Sequence, residues 1–421
     1  MVSTGSTGRV VSTGSTGRVV LTGSTDRVVR SLAPVTTELR RLNVAMLFAA
    51  LAAFGMLYST QALLPAIGAS FGVSPTAASL TVSASTGALA IAILPLSSAA
   101  ESLGRVRVMR VGLLVACVLT FVSAAAPYFA VLLVARALVG VALAAVVAVA
   151  VAHLGDEVHP AALGTAIGVY VAGNTLGGIT GRLVPGLVEE GTSWRVGVAA
   201  LGAVALVATL VFAAALPSAH RRTSRATRLS EHVGAVRALL HDPGIVRLCL
   251  LAFLLMGGFV ACYNYLTFRL EAPPLALSTT VTSLLFLAYL AGTVSSPVAG
   301  RLSDQYGRKR LALAGIGISL AGLALTLPHQ VWCITIGLVV FTFGFFATHS
   351  VASSWVSSRA AGSRGQASAM YLLAYYLGSS TFGALVGLAY QYGGWPAAAA
   401  GIGTLFVLGG LAVLGIRPAV D

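Results

Sequence analysis

Charge is scarce in this chain: 9% of its 421 residues are charged, against about a quarter in a soluble domain. Lysine is nearly missing, with Lys309 the single copy among 26 basic residues, which reads as coding bias. The four cysteines, Cys117, Cys249, Cys262 and Cys333, lie in apolar runs without metal-ligand spacing. They read as small core residues, and no metal site is expected. No phosphate-cradling loop follows a strand and no His-Glu-x-x-His run occurs. That argues against ATP-driven pumping and metallopeptidase chemistry, so no enzyme activity, catalytic residue or cofactor is expected.

What is abundant is apolar. Hydrophobic residues make up 57% of the chain, and the mean hydropathy is +0.91. This is the composition of an integral membrane protein embedded in a lipid bilayer. The net charge of +14 does not point to nucleic acid, because the arginines sit in loops between apolar segments and not on one basic face.

From Asn43 onward the apolar runs are about 18 to 26 residues long, enough for a ~30 Å hydrocarbon core at 1.5 Å per residue. They predict helices near 43 to 64, 76 to 98, 107 to 126, 129 to 154, 162 to 187 and 194 to 216. A second series follows near 245 to 268, 278 to 299, 310 to 327, 331 to 356, 365 to 390 and 395 to 416. The expectation is an all-α protein of twelve spans. Ser74-Pro75 and Ser278 suit the starts of the second and eighth, a hydroxyl capping free amides and proline fitting a first turn.

Residues 2 to 28 repeat a nine-residue Gly/Ser/Thr unit. Such a tract buries too little apolar surface to offset its ordering entropy and lacks the apolar run of a signal peptide. Residues 1–40 are expected to be a disordered tail whose removal leaves transport intact. A polar linker, 218–243, divides a bundle at 41–217 from a second at 244–417. Its portion Arg237-Ala238-Leu239-Leu240 suits a short helix on an anionic leaflet. Arginine is concentrated in one set of loops, and the opposite set holds Arg195 and Arg269. Both termini are therefore expected in the cytoplasm.

The chain also repeats itself. The turn Gly300-Arg301-Leu302-Ser303-Asp304-Gln305-Tyr306-Gly307-Arg308-Lys309-Arg310 is echoed at 97–107. Glu101, Gly104, Arg105 and Arg107 each precede Asp304, Gly307, Arg308 and Arg310 by 203 residues. Gly164, Tyr170, Gly177, Gly186 and Trp194 return 201 residues later as Gly365, Tyr371, Gly378, Gly387 and Trp395.

These turns resemble the signature loop of the major facilitator superfamily, Gly-x-Leu-x-Asp-x-x-Gly-Arg-Arg/Lys-Arg/Lys. The second copy fits nearly completely; the first carries Ser97, Glu101 and Val106 where the pattern has glycine, aspartate and a basic residue. The resemblance implies two pseudo-symmetric six-helix bundles and alternating access. It also implies that the turns are gates, with Glu101 facing the start of helix eleven at Arg364-Gly365 and Asp304 that of helix five at Leu163-Gly164, where helix dipoles attract a carboxylate. The alternative is that these charges only set topology.

No Asp or Glu falls well inside a predicted span, where charge is costly. The titratable groups read there are Arg136, Arg182 and His349. Arg136-Ala137-Leu138-Val139-Gly140 resembles the helix-four arginine motif of proton-coupled members, and is either a charge shaping solute and proton movement or a packing lock on helix carbonyls. Arg182 is expected to snorkel to the outer interface. His349 is read as the intramembrane group able to titrate near neutral pH, as a proton carrier or as a histidine satisfied by a carbonyl.

Helix five carries Gly173, Gly177, Gly178 and Gly181 at spacings that let helices approach closely, and resembles the antiporter motif without its proline. A solute pocket is suggested by Tyr58, Gln61, Tyr170, Asn174, Tyr263, Asn264, Tyr265, Tyr375 and Tyr376, although a single tyrosine is more often a packing residue. By resemblance to bacterial drug and sugar efflux permeases, the expected function is export of a small organic solute, neutral or anionic, in exchange for protons by a monomer in the bacterial inner membrane. The alternative is a proton-independent facilitator or uptake permease.

Overall fold

The structure is a computed structural model that describes residues 37–216, 234, 237–360 and 363–416. The expected tail up to residue 36 and most of the linker, 217–233 and 235–236, lie outside the described residues; 237–240 are helical. No strand occurs among the described residues, as expected where backbone amides must be satisfied within each span.

The first set of helices is α1 (Thr37–Leu57), α2 (Leu64–Phe71), α3 (Pro75–Leu103), α4 (Arg105–Ala124), α5 (Phe129–Val147), α6 (Ala150–Glu157), α7 (Pro160–Glu189) and α8 (Trp194–Ala215). The second is α9 (Pro243–Glu271), α10 (Thr279–Leu284), α11 (Leu290–Tyr306), α12 (Arg308–Leu325), α13 (Val331–Arg359) and α14 (Arg364–Leu414). Ser74 and Ser278 cap α3 and α10 through their hydroxyls. Ten helices among the described residues are long and apolar enough to cross a membrane. Twelve were expected; α12, which opens on three basic residues, is not among the ten, and α14 carries a break at Gly394, with φ 61 and ψ −156.

Three expected spans are interrupted. A turn and one 3-10 segment, Gln61–Leu63, part α1 from α2; α5 and α6 separate at 148–149; and the 3-10 segment Leu285–Tyr289 joins α10 to α11. The charged turns share one backbone form, with Gly104 at φ 91, ψ 127 and Gly307 at φ 85, ψ 140. That region is all but closed to residues bearing a Cβ, so the repeat in sequence is also a repeat in conformation.

Within the first set α1 packs on α7 and α3 on α5; within the second α9 packs on α14 and α12 on α13. Glycine makes the closest approaches. Gly173, Gly177 and Gly181 face the α1 backbone at Leu47, Leu51 and Gly55, where a side chain would collide. Gly378, the mate of Gly177, faces Phe253 in the same way. Gly178 instead turns toward Arg182.

The first and last described residues share a face. Arg41 and Arg110 donate to carbonyls of Ala214 and Ala213, and Lys309 to that of Leu414, which places the starts of α1, α4 and α12 beside the ends of α8 and α14. Both charged turns lie on this terminal face. On the far face Tyr128, Trp332 and Tyr392 are 70%, 67% and 90% exposed, as aromatic rings at a membrane boundary would be.

Candidate solute site

Arg136, on α5, is fully buried. Its Nε donates to the Thr81 carbonyl at 3.2 Å, its Nη1 to the Met56 carbonyl at 2.9 Å and Ser59 Oγ at 3.0 Å, and its Nη2 to the Leu57 carbonyl. Met56 and Leu57 close α1, where the helix breaks and its last carbonyls lose their intrahelical donors. Arg136 supplies those donors and holds the break open. Of the two readings of this residue, the geometry is that of the packing lock.

The held segment places Tyr58 and Gln61 against Arg182. The expectation that Arg182 snorkels to the interface is corrected: it is 1% exposed, deep between the two sets of helices. Its Nε donates to Gln61 Oε1 at 2.8 Å, its Nη1 to the Gly178 carbonyl, and its Nη2 to the Tyr289 hydroxyl at 3.0 Å. The guanidinium lies over the rings of Tyr58 at 4.2 Å and Tyr289 at 4.4 Å, a favourable setting for a desolvated cation. Satisfied inward, the side chain gains nothing by reaching for water. Gln61 Nε2 then donates to Asn264 Oδ1 at 2.8 Å, and Asn264 Nδ2 to the Gly383 carbonyl at 3.3 Å.

This girdle is part of a larger seam. Among the described residues, the hydrogen bonds that join the two sets are Gln61 to Asn264, Arg182 to Tyr289, Tyr265 to Ser79, Ser380 to the Ser83 carbonyl, Thr76 to Gln391, and Thr280 N to Glu190. All lie on the far-face side. Gly87 of α3 also faces Ser380 of α14. Below it α3 runs 16 further residues to Leu103, about 24 Å at 1.5 Å per residue.

Beneath the girdle lies a group of phenols. Tyr375 is within electrostatic reach of Tyr58, Tyr289, Tyr371 and Tyr376, and Tyr376 of Tyr58 and Tyr170. The hydroxyls of Tyr58, Tyr170, Tyr375 and Tyr376 have no hydrogen-bond partner among the described residues, yet none is closed off as Asn174 Oδ1 is. His349 completes the wall, its Nδ1 hydrogen-bonded to the Tyr371 hydroxyl at 2.9 Å and its ring 4.8 Å from that of Tyr375. The expectation of His349 as the one intramembrane histidine is corrected by His153 in α6, 5% exposed. Tyr263 stands behind the site: its hydroxyl pairs with Thr342 Oγ1 at 2.7 Å, and its ring packs on those of Phe286 and Tyr289, which themselves flank Arg182.

The charged turns do not meet the opposite set here. Arg105 pairs with Asp156 of its own set, and Arg308 with Ser358 of its own. Asp304 and Arg364 are exposed, and the expected contacts of Glu101 with 364–365 and of Asp304 with 163–164 are not made. Arg107 and Arg310 point outward, and Gly300, Gly164 and Gly365 have open space around them. One catalytic-looking spacing, Gly68-Ala69-Ser70-Phe71-Gly72, does occur. Ser70 is exposed at the end of α2 and accepts from Arg195 Nη1 at 3.3 Å, an arrangement with no base for a nucleophile. Sequence reasoning missed Tyr289 and Phe286, which have no repeat partner to mark them.

A family model for the Major Facilitator Superfamily matches residues 45–292 and 272–421. The "Inner membrane transport protein YnfM" of Escherichia coli is 40% identical over 375 residues, covering 89% of each chain. The "Uncharacterized MFS-type transporter YybF" of Bacillus subtilis is 38% identical over 360 residues, 86% of this chain and 89% of that one. Among solved structures, a bacterial homologue of the human lysosomal transporter Spinster, in an inward-facing and unoccupied conformation, superposes with a TM-score of 0.73 at 15% identity over 90% of this chain and 95% of that one. The chain belongs to the major facilitator superfamily and is a multi-pass membrane transporter.

Proposed function

We propose that this member of the superfamily is a secondary transporter that exports a small organic solute in exchange for protons, working as a monomer in the bacterial inner membrane with both termini in the cytoplasm. The two sets of helices are two six-helix bundles joined by the linker at 218–243. They rock about the site between them. The carrying observation is the one-sided seam: the hydrogen bonds found between the bundles among the described residues lie on the far-face side, which supports a state open toward the terminal face. In the opposite state the seam parts, and the charged turns close the terminal face through Glu101 and Asp304. Gly164 and Gly365, open here, lie at the helix starts those carboxylates would approach.

The proton step falls to His349, the titratable group on the wall of the site. One observation favours the second reading, a facilitator without protons: the spans offer no buried carboxylate at the site to share that task. Proteoliposomes assayed with and without a pH gradient separate the two. Solute movement that follows the gradient supports exchange, and a rate indifferent to it supports the facilitator. A panel of organic solutes, scored for tolerance in an efflux-deficient host with and without the gene, identifies the cargo and its direction.

A further inference from the structure

The chemistry lining the site is one-sided. Arg182 is 1% exposed, and a buried cation ordinarily keeps a carboxylate beside it, since desolvation is costly without one. Its acceptors here are a side-chain amide, a backbone carbonyl and a phenol, all neutral. A guanidinium has five N–H bonds in a planar fork; three are taken, which leaves two. Beside it stands Tyr58, whose hydroxyl is a donor without a partner among the described residues, and beyond Tyr58 lies Tyr375, whose hydroxyl likewise has none. Among the described residues no aspartate or glutamate joins them. The group is rich in donors and poor in acceptors, and what it lacks is an anion.

Position matters as well as charge. Gly178 belongs to the same helix as Arg182, and Gln61 to the same set, but Tyr289 belongs to the other. Parting of the seam therefore removes the Tyr289 acceptor and leaves Nη2 free while the far face opens. A carboxylate fits such a fork bidentately, with two parallel charge-assisted hydrogen bonds. The rings of Tyr58 and Tyr289, at 4.2 and 4.4 Å, are surfaces for the apolar body of the same molecule.

We infer that Arg182 is the specificity-determining residue of the solute site and takes the carboxylate of a small organic acid, whose body packs among Tyr58, Tyr289 and Tyr375. Tyr289 competes with the solute for the guanidinium. This deepens the transport reading above and rests on it for the site, but not for direction or proton coupling.

The test is binding to the purified full chain in detergent, read as the rise in melting temperature at fixed ionic strength with benzoate, benzamide or benzylammonium, three probes of one body and different charge. Benzoate should stabilise the protein, with at least tenfold weaker effects from the amide and the cation. Arg182→Gln should abolish the benzoate shift, and Arg182→Lys should restore part of it. Tyr289→Phe, which removes the competing acceptor and keeps the ring, should tighten benzoate several-fold, and it serves where Arg182→Gln does not fold. Equal stabilisation by benzamide or benzylammonium, no stabilisation by any of the three, or an undiminished benzoate shift in Arg182→Gln overturns the inference. Because no gradient is applied, failure of proton exchange leaves it standing, and binding of benzamide in place of benzoate sinks it while leaving transport intact.

Discussion

Gln61 Nε2 donates to Asn264 Oδ1 at 2.8 Å across a separation of 203 residues, the same offset that relates the two charged turns. Repeat mates touch one another at an axis of pseudo-symmetry. The pair therefore marks the line about which the two bundles would turn, and it sits in the seam that closes the far face.

Asn264→Leu removes that bond while leaving Gln61 Oε1 to accept from Arg182. A net hydrogen bond contributes about 1 kcal/mol, near a fivefold change in an equilibrium constant. The closed far face should lose population by about that factor. Spin labels at Tyr128→Cys and Tyr392→Cys, with the four native cysteines replaced, report it as growth of a longer distance; an unchanged distribution denies the pair a part in closure.

Arg136→Ala strands the Leu57 carbonyl at the break between α1 and α2, while the Met56 carbonyl keeps the Ser59 hydroxyl as a donor. A buried unsatisfied group costs about 1–3 kcal/mol, so a loss of that order is expected, seen as a lower melting temperature in detergent. Arg136→Lys should recover only part, because an ammonium does not reach all of these acceptors at once. Full transport in a stably folded Arg136→Ala protein would remove the residue from the mechanism altogether.

Glu190 bonds across the seam on the far face, accepting from Thr280 N at 3.2 Å. The side chains of Thr280 and then Ser278 hold its carboxyl below the ordinary range. A depressed value in the latched state means that the latch contributes above the free carboxylate's range and is lost as pH falls through the latched value. Acidifying the far side should favour parting of the seam, modestly because the group is exposed. In the labelled protein, Glu190→Gln should flatten this pH response, and a response retained in that variant assigns it to another group.

His349→Ala should separate solute movement from the pH gradient. Exchange of solute for solute continues, because the site keeps Arg182 and its phenols, while gradient-driven accumulation disappears. Gradient-driven accumulation at the wild-type level in this variant would take the proton step away from His349.

Much of this was written legibly into the chain. Apolar runs gave the spans within a few residues, because a bilayer enforces helices of one length. Gly104 and Gly307 marked both turns, because their backbone excludes other residues. The breaks were not legible: nothing in the composition of 58–63 or 285–289 separates an interrupted span from a straight one, and the donor that stabilises the first break comes from Arg136, 79 residues beyond Leu57. Arg182 was misplaced for a related reason. Sequence position puts it near a span's end, where water is the nearest partner, and only the fold brings Gln61 and Tyr289 to it from distant helices.

The guanidinium of Arg182, unbalanced by any carboxylate at the site, makes the transporter an electrical object. A charge crossing the whole membrane field exchanges roughly 2.3 kcal/mol per 100 mV, and rocking of the kind proposed above would move Arg182 through part of it. With the organic acid inferred above aboard, the pair would be neutral and voltage would have little hold on the crossing. The unloaded return is then the step that the membrane potential hastens or slows.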